Sequence, residues 1–141
     1  MIFQGRCHCG NLTVTFETLV GPEALPLRVC TCTFCRAHAP LYTSDPNGAV
    51  KLGAREPERL SRYVFALGTA EMWICARCGV YTAAVMRDGD RAYATLNVRC
   101  LDDAALFTAK PEPVSYDAED VEKRRARRRS RWIPVRELSS A

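Results

Sequence analysis

The chain has 141 residues, of which 48% are hydrophobic and 26% are charged, and its formal net charge at pH 7 is +4. This length favours one domain with a modest core, and so mild a charge does not by itself imply a nucleic-acid partner. No stretch approaches the roughly 20 apolar residues of a membrane-spanning helix, and residues 1–6 lack the apolar segment of a secretory signal. We therefore expect a cytoplasmic protein without a membrane partner, whose cysteines meet reducing conditions.

Short β-strands separated by turns are predicted along the first 100 residues. Residues 11–17 alternate apolar and polar side chains, which is typical of a half-buried strand, and a short strand is expected at residues 27–30. Further strands are predicted at residues 60–66, 71–74, 80–86 and 93–99, with turns at residues 45–48, 67–69 and 87–90. This regular spacing predicts a mostly-β domain built from antiparallel sheets.

Helical structure is predicted only towards the C-terminus. Residues 102–107 are expected to form a short helical turn, and Asp117 is predicted to cap a helix over about residues 118–130. We expect residues 1–116 to form the main domain and residues 117–141 to form a basic helix and tail that pack on the same domain.

The predicted C-terminal helix contains the most basic stretch of the chain, KRRARRRSR at residues 123–131. Acidic residues precede it, so the charges complement the helix dipole, and a solvated surface helix is the favoured interpretation. A nucleic-acid-binding patch is the alternative, disfavoured because no aromatic residue is interleaved before Trp132. Trp132 and Ile133 are expected to anchor the tail onto the domain.

Seven of the eight cysteines fall into three tight clusters. They are Cys7 and Cys9; Cys30, Cys32 and Cys35; and Cys75 and Cys78. Disulfides between cysteines so close in sequence would close strained rings, so metal ligation is favoured. Thiolates suit Zn²⁺, and a glycine after a cysteine knuckle, such as Gly79, can take the positive φ that folds the turn around the ion. Spacing alone does not fix which cysteines share an ion: four thiolates close a structural site, whereas three leave a position open.

These motifs resemble the glutathione-dependent formaldehyde-activating enzyme and centromere protein V family. The resemblance is carried by GRCHCG at residues 5–10, CTCTFCR at residues 30–36 and ICARCG at residues 74–79. It covers roughly residues 3–100. It implies an Mss4-like fold, in which antiparallel sheets surround zinc-binding cysteine knuckles, and two zinc ions per chain. It also implies a carbon–sulfur lyase that joins formaldehyde to glutathione.

The resemblance also implies how the cysteines divide between the two ions. The structural zinc ligands correspond to Cys7, Cys9, Cys75 and Cys78. The catalytic zinc ligands correspond to Cys30, Cys32 and Cys35.

A thiol reaction is the chemistry expected at the three-cysteine site. Three thiolates leave a zinc ion a weaker Lewis acid than three histidines would, so thiol capture is more natural there than amide hydrolysis. We predict that a small-molecule thiol, with glutathione as the possible co-substrate, meets the open position, loses its proton and attacks a small aldehyde. Arg36 and Arg6 are the candidates for offsetting the negative charge or holding a substrate carboxylate.

Three further residues could take part in metal or thiol chemistry. His8 is expected to point away from the metal, because neighbouring residues of an extended segment face opposite sides. His38 is a possible fourth ligand or proton shuttle, although an exposed loop histidine is favoured. Cys100 is in phase with the apolar face of the strand at residues 93–99, so a buried core thiol is favoured over a redox role.

Three functions therefore remain open from the sequence. The favoured one is the zinc-dependent carbon–sulfur lyase. The alternative is a non-catalytic, zinc-stabilised module that binds nucleic acid or protein through the arginine-rich helix. The third and weakest is a thiol redox enzyme built around Cys100.

Overall fold

A computed structural model describes residues 1–139 and shows a mostly-β fold, as predicted. Its strands are β1 (Ile2–Arg6), β2 (Leu12–Glu17), β3 (Arg28–Cys30), β4 (Tyr42–Thr43), β5 (Ala49–Ala54), β6 (Leu60–Tyr63), β7 (Glu71–Cys75), β8 (Tyr81–Asp88), β9 (Arg91–Asn97), β10 (Glu112–Val114) and β11 (Ile133–Ser139). Its helices are α1 (Thr33–His38) and α2 (Val121–Arg131). Within residues 1–139, neither helix has the length and apolar character needed to cross a membrane.

The strands form one mixed sheet rather than purely antiparallel ones. The strand order is β1-β2-β5-β11-β9-β4-β3-β10, and β8, β7 and β6 continue from β9 as a second branch. Most pairings are antiparallel, but β11 pairs with β5 and β10 pairs with β3 in parallel. The expectation of antiparallel sheets is corrected at these two places, because both parallel strands return from the C-terminal third of the chain. No local pattern in the sequence signals such long-range pairings.

Strand β11 joins the two halves of the sheet. Its residue Ile133 pairs with Ala94 of β9, and Val135 pairs with Val50 of β5. Ile133 is fully buried within the main hydrophobic cluster. The predicted anchoring of the tail by this residue therefore takes the form of an inner strand, not a loose contact on the surface.

The predicted strands at residues 11–17, 27–30 and 71–74 are present with small shifts of their ends. Strand β6 stops at Tyr63, earlier than the predicted residue 66. The predicted hairpin is present as β8 and β9, with a tighter turn at residues 89–90. The short helical turn expected at residues 102–107 is a 3₁₀ turn at Ala104–Leu106. The elements not predicted from the sequence are β1, β4, β5, β10, β11 and α1.

Two hydrophobic clusters make up the core. The larger one is lined by the alternating side chains Leu12, Val14 and Phe16 of β2, whose burial matches the predicted half-buried strand. The smaller one gathers around Tyr42, Tyr81 and other residues of the central strands, and it also includes Cys35. Because Cys35 belongs to this second cluster, and Cys30 and Cys32 pack against it, the geometry of the three-cysteine site depends on core packing.

Candidate metal centres and active site

The structure brings four cysteines from distant parts of the chain into one cluster. The sulfur atoms of Cys7, Cys9, Cys75 and Cys78 all lie within 4.8 Å of one another. Cys7 and Cys9 follow β1, whereas Cys75 ends β7 and Cys78 lies in the turn before β8. Tetrahedral zinc sites are built from such sets of four thiolates, so these residues fit a structural zinc ion.

Each half of this cluster has a backbone amide that donates to a cysteine sulfur and a glycine that closes the turn. The Sγ of Cys7 accepts a hydrogen bond from the Leu12 amide at 3.2 Å, and the Sγ of Cys75 accepts one from the Cys78 amide at 3.4 Å. Each turn closes on a glycine with positive φ, 85° at Gly10 and 81° at Gly79. The predicted role of glycine in these knuckles is confirmed. Amide donors that point at sulfur stabilise thiolates, the form that binds a metal.

The environments of these four thiols differ. Burial, outweighing the hydrogen bond from Leu12, raises the pKa of Cys7 to about 12. At Cys78, burial also opposes ionisation, but hydrogen bonds from the backbone at Cys9 and Val80 and from neighbouring thiols lower the pKa to about 6. A cation placed among these sulfurs would favour the thiolate form of all four.

The second cluster lies where β3 passes into α1. Cys30 ends β3, Cys32 caps the helix and Cys35 lies inside it, and their three sulfur atoms lie within 4.8 Å of one another. The Sγ of Cys32 accepts a hydrogen bond from the Cys35 amide at 3.4 Å. Across residues 1–139, no histidine, aspartate, glutamate or further cysteine joins this set. The three residues could therefore hold a metal ion that keeps a coordination position for another ligand.

Charge in this triad is distributed unevenly. A hydrogen bond from the thiol of Cys35 is the largest effect at Cys30 and, against the opposing effect of burial, lowers its pKa to about 6. The same interaction and burial raise the pKa of Cys35. Without a cation, the structure therefore favours one thiolate, on Cys30, which the thiol of Cys35 stabilises.

A chain of buried hydroxyl groups lies beneath Cys35. The Sγ of Cys35 is 3.1 Å from the hydroxyl oxygen of Tyr42, which is 2.9 Å from that of Tyr81. The Tyr81 hydroxyl also lies 3.4 Å from the sulfur of Met72. A thiolate cannot donate, so when Cys35 is ionised Tyr42 must donate to its sulfur and Tyr81 must donate to Tyr42. This row of hydroxyl groups thus stabilises the thiolate of Cys35, which is the form that binds a metal.

A cavity of about 360 Å³ is lined in part by the three cysteines of the triad, Cys30, Cys32 and Cys35. Its apolar lining includes Phe34, Phe65, Leu67, Met72, Val114 and Trp132. This volume lies within the range of small-molecule binding sites, and a mostly apolar wall with a few polar groups is typical of them.

Residues 2–117 match the family model described as glutathione-dependent formaldehyde-activating enzyme. The chain belongs to that family. Membership supports a glutathione-dependent formaldehyde-activating function in general, and it confirms the resemblance carried by the cysteine motifs. The matched region contains both cysteine clusters, whereas it ends before α2 begins at Val121.

The chain is also similar to a solved structure, the crystal structure of a Rhodobacter sphaeroides protein determined as a structural genomics target. The two share 29% sequence identity with a TM-score of 0.53, over 70% of this chain and 87% of the other. No curated protein matches the chain significantly.

Helix α2, which lies outside the family match, forms a wall of the cavity. It begins at Val121, with the Asp120 side chain accepting a hydrogen bond from the Lys123 amide at 2.8 Å, so the cap is Asp120 and not the predicted Asp117. Arg124, Arg127 and Arg128 all line the cavity. The expectation of a solvated surface helix is therefore wrong for one face, because Arg128 is buried there and Arg124 and Arg127 are half-buried.

Most arginines of α2 are paired with carboxylates. The guanidinium of Arg127 donates to Glu119 at 2.8 and 3.1 Å. Arg125 donates to Asp88 at 2.7 Å, and Arg129 lies 3.5 Å from the same carboxylate. Such pairing lowers the positive charge available to a phosphate backbone. It works against the nucleic-acid alternative, which stays a prediction.

The two arginines chosen from the sequence lie away from the cavity lining. Arg6 makes a bidentate ion pair with Asp102 at 2.6 and 3.0 Å. Arg36 is exposed on α1 and does not line the cavity. Their roles in binding or charge compensation stay predictions. Proximity in sequence to a cysteine does not fix the direction in which a long side chain extends.

The histidines and Cys100 lie outside both clusters. His8 is exposed between Cys7 and Cys9. His38 is exposed at the end of α1, where the centre of its ring lies 4.4 Å from that of Phe34 with a tilt of 34° between the ring planes. Cys100 ends a 3₁₀ turn, not a strand, and donates to the Tyr81 carbonyl at 3.4 Å; burial raises its pKa to about 11. A thiol so hard to ionise suits a structural role better than redox chemistry.

The residues that complete the site were not predicted from the sequence. Tyr42 and Tyr81 gave no signal, since an aromatic residue within a strand is ordinary and its contact with a cysteine is not visible in the sequence. Trp132 was expected only to anchor the tail, yet it also lines the cavity. The buried position of Arg128 had no local signal at all, because the surrounding stretch is uniformly basic.

Proposed function

We propose that the chain is a zinc-dependent carbon–sulfur lyase that joins a glutathione-type thiol to a small aldehyde, as an S-hydroxymethylglutathione synthase does. The observation that carries the proposal is the triad of Cys30, Cys32 and Cys35, whose sulfur atoms lie together in the lining of a ligand-sized cavity. A cavity lined by three sulfur donors is suited to a metal that must accept a further sulfur ligand. The family membership independently supports the substrate class.

Two zinc ions would occupy the chain. Cys7, Cys9, Cys75 and Cys78 would hold a structural ion, and Cys30, Cys32 and Cys35 would hold a catalytic one. When bound at the triad, zinc supplies a positive charge that lowers the pKa of a substrate thiol. Reduced thiols are needed for both sites, so we place the reaction in a reducing compartment such as the cytoplasm.

The chain's own residues would prepare the site for addition. Tyr42 would hold the sulfur of Cys35 by a hydrogen bond, and Phe65 and Trp132 would contribute apolar surface to the cavity lining. In the reaction the thiol sulfur forms a bond to the carbonyl carbon, the carbonyl π electrons move to oxygen, and a proton equivalent to that lost by the thiol ends on that oxygen. The product is a hemithioacetal, and no oxidant or reductant is consumed.

The test uses exchange spectroscopy, because glutathione and formaldehyde also combine spontaneously. We expect the wild-type protein, purified without added metal or chelator, to contain about two zinc ions per chain and to accelerate the exchange between free and glutathione-bound ¹³C-formaldehyde. Cys30→Ser should contain one zinc ion less and lose the acceleration. Cys100→Ser is the matched control, because Cys100 lies in neither cluster. A Cys30→Ser protein with both its zinc and its acceleration intact would refute the proposal.

A further inference from the structure

Arg128 is a buried cation in the cavity over the triad. Its relative exposure is 8%, and it lines the cavity together with Trp132 and the triad cysteines. Its Nη1 donates to the hydroxyl of Thr69 at 2.7 Å, whereas its Nε is buried without a hydrogen-bond partner in the described part of the chain. A buried guanidinium with an unused donor is uncommon, because burial removes the water that would otherwise satisfy it.

Within residues 1–139, no carboxylate forms an ion pair with this guanidinium, and Glu119 acts on it only through a longer-range charge interaction. The ion pairs of α2 leave Arg128 out: Glu119 is engaged by Arg124 and Arg127, and Asp88 is engaged by Arg125 and Arg129. Burial, followed by repulsion from the neighbouring Arg127 and Arg124, lowers the pKa of Arg128 to about 10. The group nevertheless stays charged near neutral pH. An unpaired buried charge destabilises the fold, so an anion bound next to Arg128 would be stabilising.

The cavity contains more positive than negative side chains. Four arginines and two carboxylates line it within residues 1–139; they are Arg28, Arg124, Arg127, Arg128, Asp117 and Glu119. Arg28 is half-buried and forms no ion pair within the described part of the chain, and its pKa is lowered chiefly by burial. Its Nη2 donates to the neutral hydroxyl of Ser44 at 2.6 Å. A zinc ion held by the three thiolates of the triad would add one net negative charge, and the four arginines would still outnumber the three negative charges; this excess favours an anionic occupant.

The rest of the Arg128 environment orients the guanidinium without cancelling its charge. The Arg128 guanidinium carbon lies 4.7 Å from the centre of the Trp132 ring, a cation–π arrangement. Beside it, Phe65, Leu67 and Met72 present an apolar surface. An occupant that matches both features has an anionic group at Arg128 and an apolar body along the aromatic wall. Carboxylates bind arginine through paired hydrogen bonds, so a carboxylate is the natural anion.

We propose that Arg128 is a specificity-determining residue that binds the carboxylate of an organic acid with an apolar body in this cavity. The link to catalysis rests on the proposed function, since a thiol on the same molecule is what the triad would receive. The determinant lies on α2, beyond the region matched by the family model, so the family alone does not specify it. The substrate class is therefore a thiol acid, or its aldehyde adduct, selected by α2.

The experiment separates carboxylate binding from thiol chemistry by using a probe without sulfur. 3-Phenylpropionate is titrated into the zinc-loaded protein by calorimetry or NMR, with the neutral 3-phenylpropanamide as its matched ligand. We expect the wild type to bind the acid at least about tenfold more tightly than the amide, because a hydrogen-bonded ion pair is lost with the amide. Equal affinity for acid and amide, or no binding of either, overturns the proposal without any variant.

Variants then assign the effect to Arg128. Arg128→Gln should remove the preference for the acid, and Arg128→Lys should restore part of it. Arg129→Gln removes one charge from the same helix but lies outside the cavity, so its preference should equal that of the wild type. An unchanged preference in Arg128→Gln, whose folding is checked by its thermal melt, overturns the proposal.

A triad variant keeps this result independent of the lyase proposal. Cys30→Ser should still prefer 3-phenylpropionate over the amide, although it should no longer accelerate adduct exchange. If the wild type accelerates that exchange but shows no preference for the acid, the carboxylate site is refuted and the lyase proposal stands. If the preference is present but no variant affects adduct exchange, the lyase proposal fails and the carboxylate site stands.

Discussion

Tyr42→Phe should weaken metal binding at the triad and leave the four-cysteine site unchanged. The substitution deletes one buried oxygen, which lies 3.1 Å from the Cys35 sulfur and 2.9 Å from the Tyr81 hydroxyl. A hydrogen bond to an ionised sulfur contributes about 1.5–3 kcal/mol. Since 1.4 kcal/mol corresponds to a tenfold change, zinc affinity at the triad should fall about 10- to 100-fold.

The cost to overall folding should be smaller than the cost to metal binding. After the substitution the Tyr81 hydroxyl still lies 3.4 Å from the Met72 sulfur, so it is not left without a partner. The ring of residue 42 keeps its buried position in the smaller hydrophobic cluster. We therefore expect a loss of about 1 kcal/mol in the free energy of unfolding. This separation lets the metal effect be measured on folded protein.

A chelator titration of zinc-loaded protein provides the assay. Zinc should leave in two steps, the weaker from the triad and the tighter from the four-cysteine cluster, and only the weaker step should shift in Tyr42→Phe. Tyr81→Phe keeps the contact between Tyr42 and Cys35, so its shift should be smaller. Tyr63→Phe, whose side chain is exposed, controls for loss of a hydroxyl. If Tyr42→Phe released both ions at wild-type chelator concentrations, the supporting role of the hydroxyl would be refuted.

Three further predictions concern stability. Ile133→Ala should lower the free energy of unfolding by about 2–5 kcal/mol in a denaturant melt, because it empties a fully buried site on β11; a loss below 1 kcal/mol would contradict the inner position of this strand. Gly79→Ala should cost about 1–2 kcal/mol through its φ of 81° alone, since an added Cβ meets no atom within 4 Å; an unchanged melt would contradict that strain. Burial would raise the pKa of Glu71, but hydrogen bonds and charge from Arg87 outweigh it and lower that pKa. The ionised carboxylate therefore stabilises the fold at a pH above its unfolded pKa, and this stabilisation is lost as the pH falls through the folded pKa. Glu71→Gln should lower the free energy of unfolding at pH 7, and below about pH 4.5 its free energy of unfolding should fall less steeply with pH than that of the wild type. An equally steep fall in both proteins would contradict the stabilising role of the Glu71–Arg87 pair.

Local patterns determined much of the fold. The alternation in β2 reflects the two-residue period of a strand with one face in the core, and the β8–β9 hairpin follows from turn residues between two β-prone runs. The turn at Cys75 and Cys78 was equally predictable from the sequence, because a turn that places two sulfur atoms around one ion needs this short spacing and a following glycine. Chemistry that acts over a few residues leaves its pattern in those residues.

The partition of the cysteines and the shape of the cavity depend on contacts between distant residues. Cys7 and Cys75 are 68 positions apart, and their common cluster follows from a sheet order that the spacing of the motifs leaves open. Strand β11 enters the middle of the sheet in parallel with β5, and that placement carries α2 over the triad. The sequence by itself therefore determined the cysteine motifs that could bind a metal and the strand-rich fold. Only the tertiary structure decided which arginine is buried beside the triad, because burial is a property of the packed chain and not of a uniformly basic helix.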